Sequence, residues 1–429
     1  MTLTLPSTGS FSIRAPIYSP TDHDEPVWLE DGVIHVADGK IVDVRAASPT
    51  DQAADATLSS RYVLSPGFID THLHAPQIEM IGSYGGDLLE WLERHTFPTE
   101  ARFGDDAHAT RVADALFPLL LRYGTTTALL FSSVHTAATR RFFESARRSG
   151  IRAIIGKTMM DRNAPDSILE GVEESITGSR ELVAEWHGGA DGLLGFAITP
   201  RFAPTSTPEL LAGAGKLAEE YPTTWIQTHI SENLREVQLV KQLFSGDRDY
   251  ASVYDRFGLL RRRTVLAHGV HLSRAELERI AARSASIAHC PNSNLYLGSG
   301  LFPLDEVEAA GIPIGLGTDI GAGTTPSMLN AMADTYKVQQ VRGRSLDPGR
   351  LWSLATIEGA RALDLDHVTG SLEPGKDADF IILDLEATDL LDMRARNAET
   401  IDDLLAACIF VGDERCIAAS YVRGRRVHG

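Results

Sequence analysis

The sequence predicts an α/β fold: a (β/α)8 TIM-type barrel carrying a small β-sandwich built from both chain termini. Three observations predict it. After Pro66, strand-like runs alternate with amphipathic helix-like stretches for roughly 280 residues. Histidines and one aspartate recur at the ends of those runs. Strand and turn signals occupy the two ends of the chain. The expected division is 1–64 for the N-terminal part of the sandwich, 65–374 for the barrel and 375–429 for its C-terminal part.

The chain has 429 residues, 43% hydrophobic and 23% charged, an ordinary globular composition for one large barrel with an accessory domain. Lys and Arg number 40 against 58 Asp and Glu, a formal net charge of -18. Such an acidic protein is not expected to bind nucleic acid or an anionic membrane. The run Arg261-Arg262-Arg263 is short and reads as solvated surface. Cys290, Cys408 and Cys416 form no disulfide framework, which fits a reducing, cytoplasmic compartment. Residues 1–16 lack the basic start and apolar core of a signal peptide. The apolar run at 404–411 is too short to span a bilayer.

In chain order, 33–36 and 40–44 flank Asp38-Gly39, a strong hairpin signal between alternating apolar segments. His35 falls on that hairpin and is given no chemical role. Residues 51–60 read as a loop. The barrel strands are expected at 68–74, 125–133, 152–160, 193–201, 224–231, 264–270, 285–291 and 312–319. Amphipathic segments between them include 109–121, 136–149, 207–220, 232–243 and 274–282. The insert after the first strand carries Gly82, Gly85 and Gly86 before Asp87-Leu88-Leu89-Glu90-Trp91-Leu92. It reads as a lid over the barrel mouth with glycine hinges, or as a packed Ω-like excursion. From Ser371 the signals are strand-like again: a turn at Glu373-Pro374-Gly375-Lys376, a strand at 379–384 and a hairpin at 417–427.

Barrel enzymes carry their chemistry at the C-terminal ends of the strands. The first strand ends in His72-Leu73-His74, whose period puts both imidazoles on one face. The fifth ends in His229-Ile230-Ser231-Glu232, the sixth in Ala267-His268-Gly269, and the eighth in Gly317-Thr318-Asp319. A single histidine at such a place is a satisfied core residue; a ring of them with an aspartate is a metal site. His72, His74 and His229 supply nitrogen and Asp319 oxygen, an open zinc site with room for water. Zinc lowers the pKa of that water toward neutrality, and Asp319 is placed to take its proton. Glu232 is a proton shuttle near the reacting nitrogen, against the plainer alternative of a helix-start carboxylate. His268 is a second metal ligand or a hydrogen-bond donor to the water and the developing oxyanion; the donor role is favoured because the other four groups fill one zinc. His289 is assigned to shaping its turn, His135 to lining the pocket at most, His271 to the surface, and Cys290 to structure.

At this point the residues resemble the amidohydrolase superfamily over nearly the whole chain. The opening Pro66-Gly67-Phe68-Ile69-Asp70-Thr71-His72-Leu73-His74-Ala75-Pro76-Gln77 is similar to the superfamily's first-strand signature. Thr199-Pro200-Arg201-Phe202, Thr228-His229-Ile230-Ser231-Glu232-Asn233, His289-Cys290-Pro291-Asn292-Ser293-Asn294 and Gly315-Leu316-Gly317-Thr318-Asp319 follow in family order. Gln77 and Arg201-Phe202 make the chain similar to the guanine deaminases within it. That resemblance implies hydrolysis of guanine to xanthine and ammonia, one zinc per subunit, and a homodimer in purine catabolism. It also implies Gln77, Arg201 and Phe202 as contacts to a purine base, with Arg201 directed at the ring carbonyl. The competing readings are another ring aminohydrolase or chlorohydrolase (8-oxoguanine, pterin, cytosine or triazine), a non-catalytic relative, and a two-metal amide hydrolase. The last needs a bridging modified lysine, and Lys157 lies mid-strand in the wrong strand.

Overall fold

The structure is a computed structural model and describes residues 4–21 and 25–429. Residues 1–3 of the stretch read for a leader, and 22–24 within the N-terminal sandwich segment, lie outside the described residues.

Eight parallel strands pair in chain order: Phe68–His74, Thr125–Phe131, Arg152–Gly156, Leu194–Pro200, Trp225–Ile230, Thr264–His268, Ser286–His289 and Ile314–Leu316. Their residues are buried throughout, as expected where both faces of a parallel sheet are covered. The third expected strand, 152–160, is interrupted at Lys157, and Thr158–Met159 pairs separately with the fourth. The Lys157 side chain is wholly buried and ion-paired with Glu170, which a buried ammonium requires. The first and eighth strands meet where the Thr71 hydroxyl donates to the Leu316 carbonyl (2.8 Å), Thr318 N–H to Asp70 Oδ1 (3.0 Å) and Asp319 N–H to the His72 carbonyl (2.9 Å). Gly317 makes this approach possible: a Cβ there would lie 2.8 Å from that of His72.

The outer helices begin and end where local chemistry stops the chain. Thr136–Ser149 ends at Gly150, in the left-handed region at φ 78°. Pro208–Glu220 starts after Thr207, whose side chain accepts from Leu210 N–H. The helix expected at 232–243 is Leu234–Leu243, because Asn233 caps it and Glu236, not Glu232, closes the capping box.

The insert after the first strand is helical and packed. Leu88–Trp91, a π-helical turn at Leu92–Thr96 and Phe97–Ala101 follow one another. Leu88, Trp91, Leu92 and Phe97 form an apolar cluster with Phe202 and Leu297. Gly82, Gly85 and Gly86 all take positive φ at its start.

Strands from both chain ends make one sheet, in the order Arg425–His428, Ile417–Val422, Phe380–Asp384, Tyr62–Pro66, Phe11–Ser19, Val27–Ala37, Lys40–Ala46. The joint between the two ends is the antiparallel pairing of Phe380–Asp384 with Tyr62–Pro66. Ile13, Ile34, Leu64, Phe380, Ile382 and Tyr421 meet in a core separate from the barrel's. At the predicted hairpin, Asp38 and Gly39 have φ of 51° and 75°, as a two-residue primed turn needs. The expected loop at 51–60 contains the end of a short helix, Pro49–Ala53, and a strand, Ala56–Thr57, that pairs with Phe11–Ser19. Asp389–Ala395 and Ile401–Val411 add two helices to the C-terminal segment. The arginine run is not simply solvated. Arg262 is exposed, but Arg261 donates to the Ala218 carbonyl (2.6 Å), and Arg263 grips Asp364 (2.7 Å) and covers the Trp225 ring at 4.7 Å. No helix among the described residues is long and apolar enough to cross a membrane.

Candidate active site

Five side chains converge at the C-terminal mouth of the barrel: His72, His74, His229, His268 and Asp319. His74 Nε2 and His229 Nε2 lie 3.0 Å apart. Asp319 Oδ1 lies 3.3 Å from His72 Nε2 and 3.6 Å from His74 Nε2. Ligand atoms about 2.0–2.2 Å from a tetrahedral ion are separated by about 3.3–3.6 Å, so the two Asp319 spacings match a coordination shell and the His74–His229 spacing is slightly tighter.

Protonation agrees with that geometry. His229 Nδ1–H donates to the Arg201 carbonyl at 2.7 Å, so the neutral ring turns an Nε2 lone pair to the centre. Burial holds His72 below, and His74 and His229 well below, the ordinary imidazole range. Neutral imidazoles are the form a metal needs. His72 Nε2 and His74 Nδ1 are buried without a hydrogen-bond partner among the described residues. Burial works to raise the Asp319 carboxyl, yet His72 and His268 outweigh it and hold it below its usual range. The cluster can therefore hold a divalent metal, and its donors fit one. Ser231, His268 and Asp319 sit in the left-handed region, with φ of 49°, 73° and 50°. Non-glycine residues go there rarely, and such strain gathers at functional sites.

Glu232 stands beside the cluster, 3% exposed. Its Oε1 accepts from Ser299 Oγ (3.1 Å) and its Oε2 lies 3.5 Å from His268 Nε2. Burial pushes the Glu232 carboxyl up to about 7. His268 Nδ1–H donates to Asn294 Oδ1 at 2.9 Å. Burial works to lower His268, but the charges of Glu232 and Asp319 prevail and raise it, so its Nε2 can carry a proton toward them. The loop is braced from below. Glu236 accepts from Glu232 N–H (2.8 Å) and from the Tyr250 hydroxyl (2.8 Å), while the Tyr254 hydroxyl donates to the His229 carbonyl (2.8 Å).

The facing wall holds Gln77, Arg201 and Phe202, roofed by Leu88, Trp91 and Leu92. Arg201 Nη1 donates to both oxygens of Glu100, at 2.9 and 2.8 Å. Gln77 Nε2 donates to the same carboxylate at 2.8 Å, and Gln77 Oε1 accepts from Gly321 N–H at 3.3 Å. Trp91 is fixed by its indole N–H on the Ser83 carbonyl (2.9 Å).

Residues 63–427 match the amidohydrolase family. The chain is a member of the amidohydrolase family. It is 44% identical over 405 residues to the guanine deaminase of Escherichia coli (strain K12), covering 94% of this chain and 92% of that protein. The solved structure of E. coli guanine deaminase superposes with a TM-score of 0.94 at 42% identity, covering 97% of this chain and 99% of the other. Guanine deaminase from C. acetobutylicum, solved with guanine bound in its active site, gives 0.91 at 31% identity, covering 97% and 100%.

In this amidohydrolase the structure brings every sequence-predicted site residue into one pocket except where noted: His72 reaches the metal cluster without lining the cavity itself. Two expectations change in detail, and Arg201 gains a partner the sequence did not show: it lines the pocket with its Nη1 clamped by Glu100. Glu232 precedes its helix rather than starting it. His271, expected at the surface, is half-buried and donates to the Ser299 carbonyl at 2.7 Å, one bond removed from Glu232. His289 is buried and stacks on Phe302 with ring centres 4.3 Å apart, and burial pushes it down to about 3. His135 stands at the N-cap position of Thr136–Ser149 without a side-chain cap bond and outside the pocket lining. Sequence reasoning gave Asn294, the last residue of the His289–Asn294 motif, no role of its own, and missed Ser299 and Glu100; Glu100 sits in a segment that also holds Glu90, Glu93, Arg94 and Arg102, so its charge did not stand out.

Proposed function

We propose that this amidohydrolase hydrolyses guanine to xanthine and ammonia, using one zinc ion per subunit. The observation that carries the reading is one small pocket with a metal-competent His/Asp cluster and Glu232 on one side and the Gln77–Arg201–Phe202 wall on the other. Similarity to proteins named guanine deaminase, one of them with guanine in its active site, supports it.

His72, His74, His229 and Asp319 would hold the metal, which when bound supplies a Lewis acid that eases ionisation of water. Phe202 walls the flat ring, and Arg201 and Gln77 fix its rotation through the edge bearing the carbonyl. Asp319 takes a proton from the attacking water as its oxygen bonds to ring carbon 2. Glu232, its carboxyl raised to about 7 by burial, gives its proton to the ring nitrogen and then takes back the proton left on the new carbon-2 hydroxyl, while the proton held by Asp319 passes to the departing amine, so the carbon–nitrogen bond breaks with release of ammonia and a carbonyl remains. His268 donates a hydrogen bond to the oxygen that gains charge on carbon 2. Neither Gln77 nor Arg201 is needed for the bond changes; they choose the base. The homodimer and the division of the chain at 64/65 and 374/375 belong to the same proposal, supported for the latter by the separate core of the terminal strands.

The test is ammonia release from guanine, adenine, cytosine and 8-oxoguanine by zinc-loaded protein, with a chelator-treated sample as control. Guanine must be the preferred substrate and chelation must stop the reaction. Faster release from any of the other bases refutes the reading.

A further inference from the structure

Glu100 is a buried charge to which the mechanism above gives no task. It lies in Phe97–Ala101, on the roof, and is 2% exposed. Both its oxygens are spent on Arg201 Nη1, and one also takes Gln77 Nε2. Arg201 lines the pocket, and among the described residues the other two guanidinium nitrogens, Nε and Nη2, bond to no protein group. The guanidinium therefore keeps donors for a ligand, while its charge is already cancelled.

We propose that Glu100 is a positioning residue that sets the charge of the ligand this pocket retains: neutral oxopurines are held and acidic ones are released. The inference rests on the guanine reading. Hydrolysis exchanges the amine on ring carbon 2 for a carbonyl. The new carbonyl withdraws electrons from the ring, so the product loses a ring N–H proton more readily than the substrate does. A bare Arg201 would grip the resulting anion through charge-assisted bonds, in a site where burial weakens screening. Paired with Glu100, Arg201 offers hydrogen bonds to a carbonyl without a net charge to trap the product. The same carboxylate fixes the Gln77 amide, because Nε2 is committed to Glu100 and Oε1 faces Gly321 N–H.

The experiment measures binding of xanthine (the acidic product) and hypoxanthine (a neutral base with the same carbonyl at ring carbon 6) to zinc-loaded protein at neutral pH. Calorimetry and competitive inhibition both serve. Wild type should bind xanthine no more tightly than hypoxanthine. Glu100→Gln should shift the ratio toward xanthine by about tenfold or more, since it leaves the cation uncompensated. A Glu100 that only props the roof weakens both bases alike, and an unchanged ratio overturns the proposal. Glu100→Gln strands a buried guanidinium and can fail to fold. In that event Arg201→Met is compared with Arg201→Met/Glu100→Gln: neutralising Glu100 must again favour xanthine, and equal ratios overturn the proposal. Wild type that binds both bases yet releases no ammonia from guanine refutes the guanine reading while leaving the ratio legible. Binding of neither base refutes both.

Discussion

The wall that gathers His72, His74, His229, His268 and Asp319 faces the wall that gathers Gln77, Glu100, Arg201 and Phe202, and the two are held differently. On the first, the backbone ladder does the placing. His229 pairs with Ala267 and Ile230 with His268 in the register of adjacent parallel strands, and Asp319 N–H bonds to the His72 carbonyl. A slip of one residue would turn these side chains to the opposite face of the sheet, so the register that buries the apolar residues also aims the ligands. On the second wall, side chains place one another. One carboxylate, 101 residues from Arg201 in sequence and 23 from Gln77, aligns both. A strand-end site tolerates changes around it but not in it; a side-chain network fails as a unit.

The harshest way to break the comparison is on the ladder wall. His229→Ala or Asp319→Ala should lose bound metal, read by elemental analysis, and release no ammonia above background while the fold persists. Full metal content and rate in either variant removes that residue from the ligand set. Glu232→Gln keeps shape and donors' positions but cannot carry a proton. It should retain metal and slow turnover by about 10²–10⁴-fold. Wild-type turnover would return Glu232 to an ordinary loop residue.

The opposite wall is probed next. Arg201→Met should keep metal yet lower kcat/KM for guanine by about a hundredfold, because a buried donor to the ring is lost. Removing one member of the buried pair should also cost about 3–5 kcal/mol in denaturant unfolding. If the wall acts as a unit, Gln77→Ala and Arg201→Met are non-additive in kcat/KM; simple additivity breaks the comparison. The mildest effect is expected at Gly317→Ala. The new methyl would meet His72 Cβ at 2.8 Å and Cys290 Sγ at 3.0 Å. Moving His72 slightly should weaken metal affinity about tenfold, the size of loss seen when a ligand's support is disturbed. Chelator competition measures it, and unchanged affinity would show that the barrel seam yields elsewhere.

By itself the sequence determined the eight-strand alternation, the Asp38-Gly39 hairpin and which histidines and aspartate gather at the barrel mouth in a cluster that could hold a metal. Each follows from short-range rules: side chains alternate along a strand, glycine accepts positive φ, and a strand's end is visible where its apolar run stops. Tertiary structure alone decided the rest. Glu232 and Glu236 are both carboxylates near a helix start, and only the fold shows that Glu236 caps while Glu232 enters the pocket. Lys157 gains its partner from Glu170, the arginine run gains Asp364 and Trp225, and the roof becomes helical because Trp91 and Phe97 find an apolar cluster to enter. Glu100 is the clearest case. Its neighbours in sequence give no hint of Arg201, because an ion pair depends on which distant segments are brought together and stripped of water, and no local period records that.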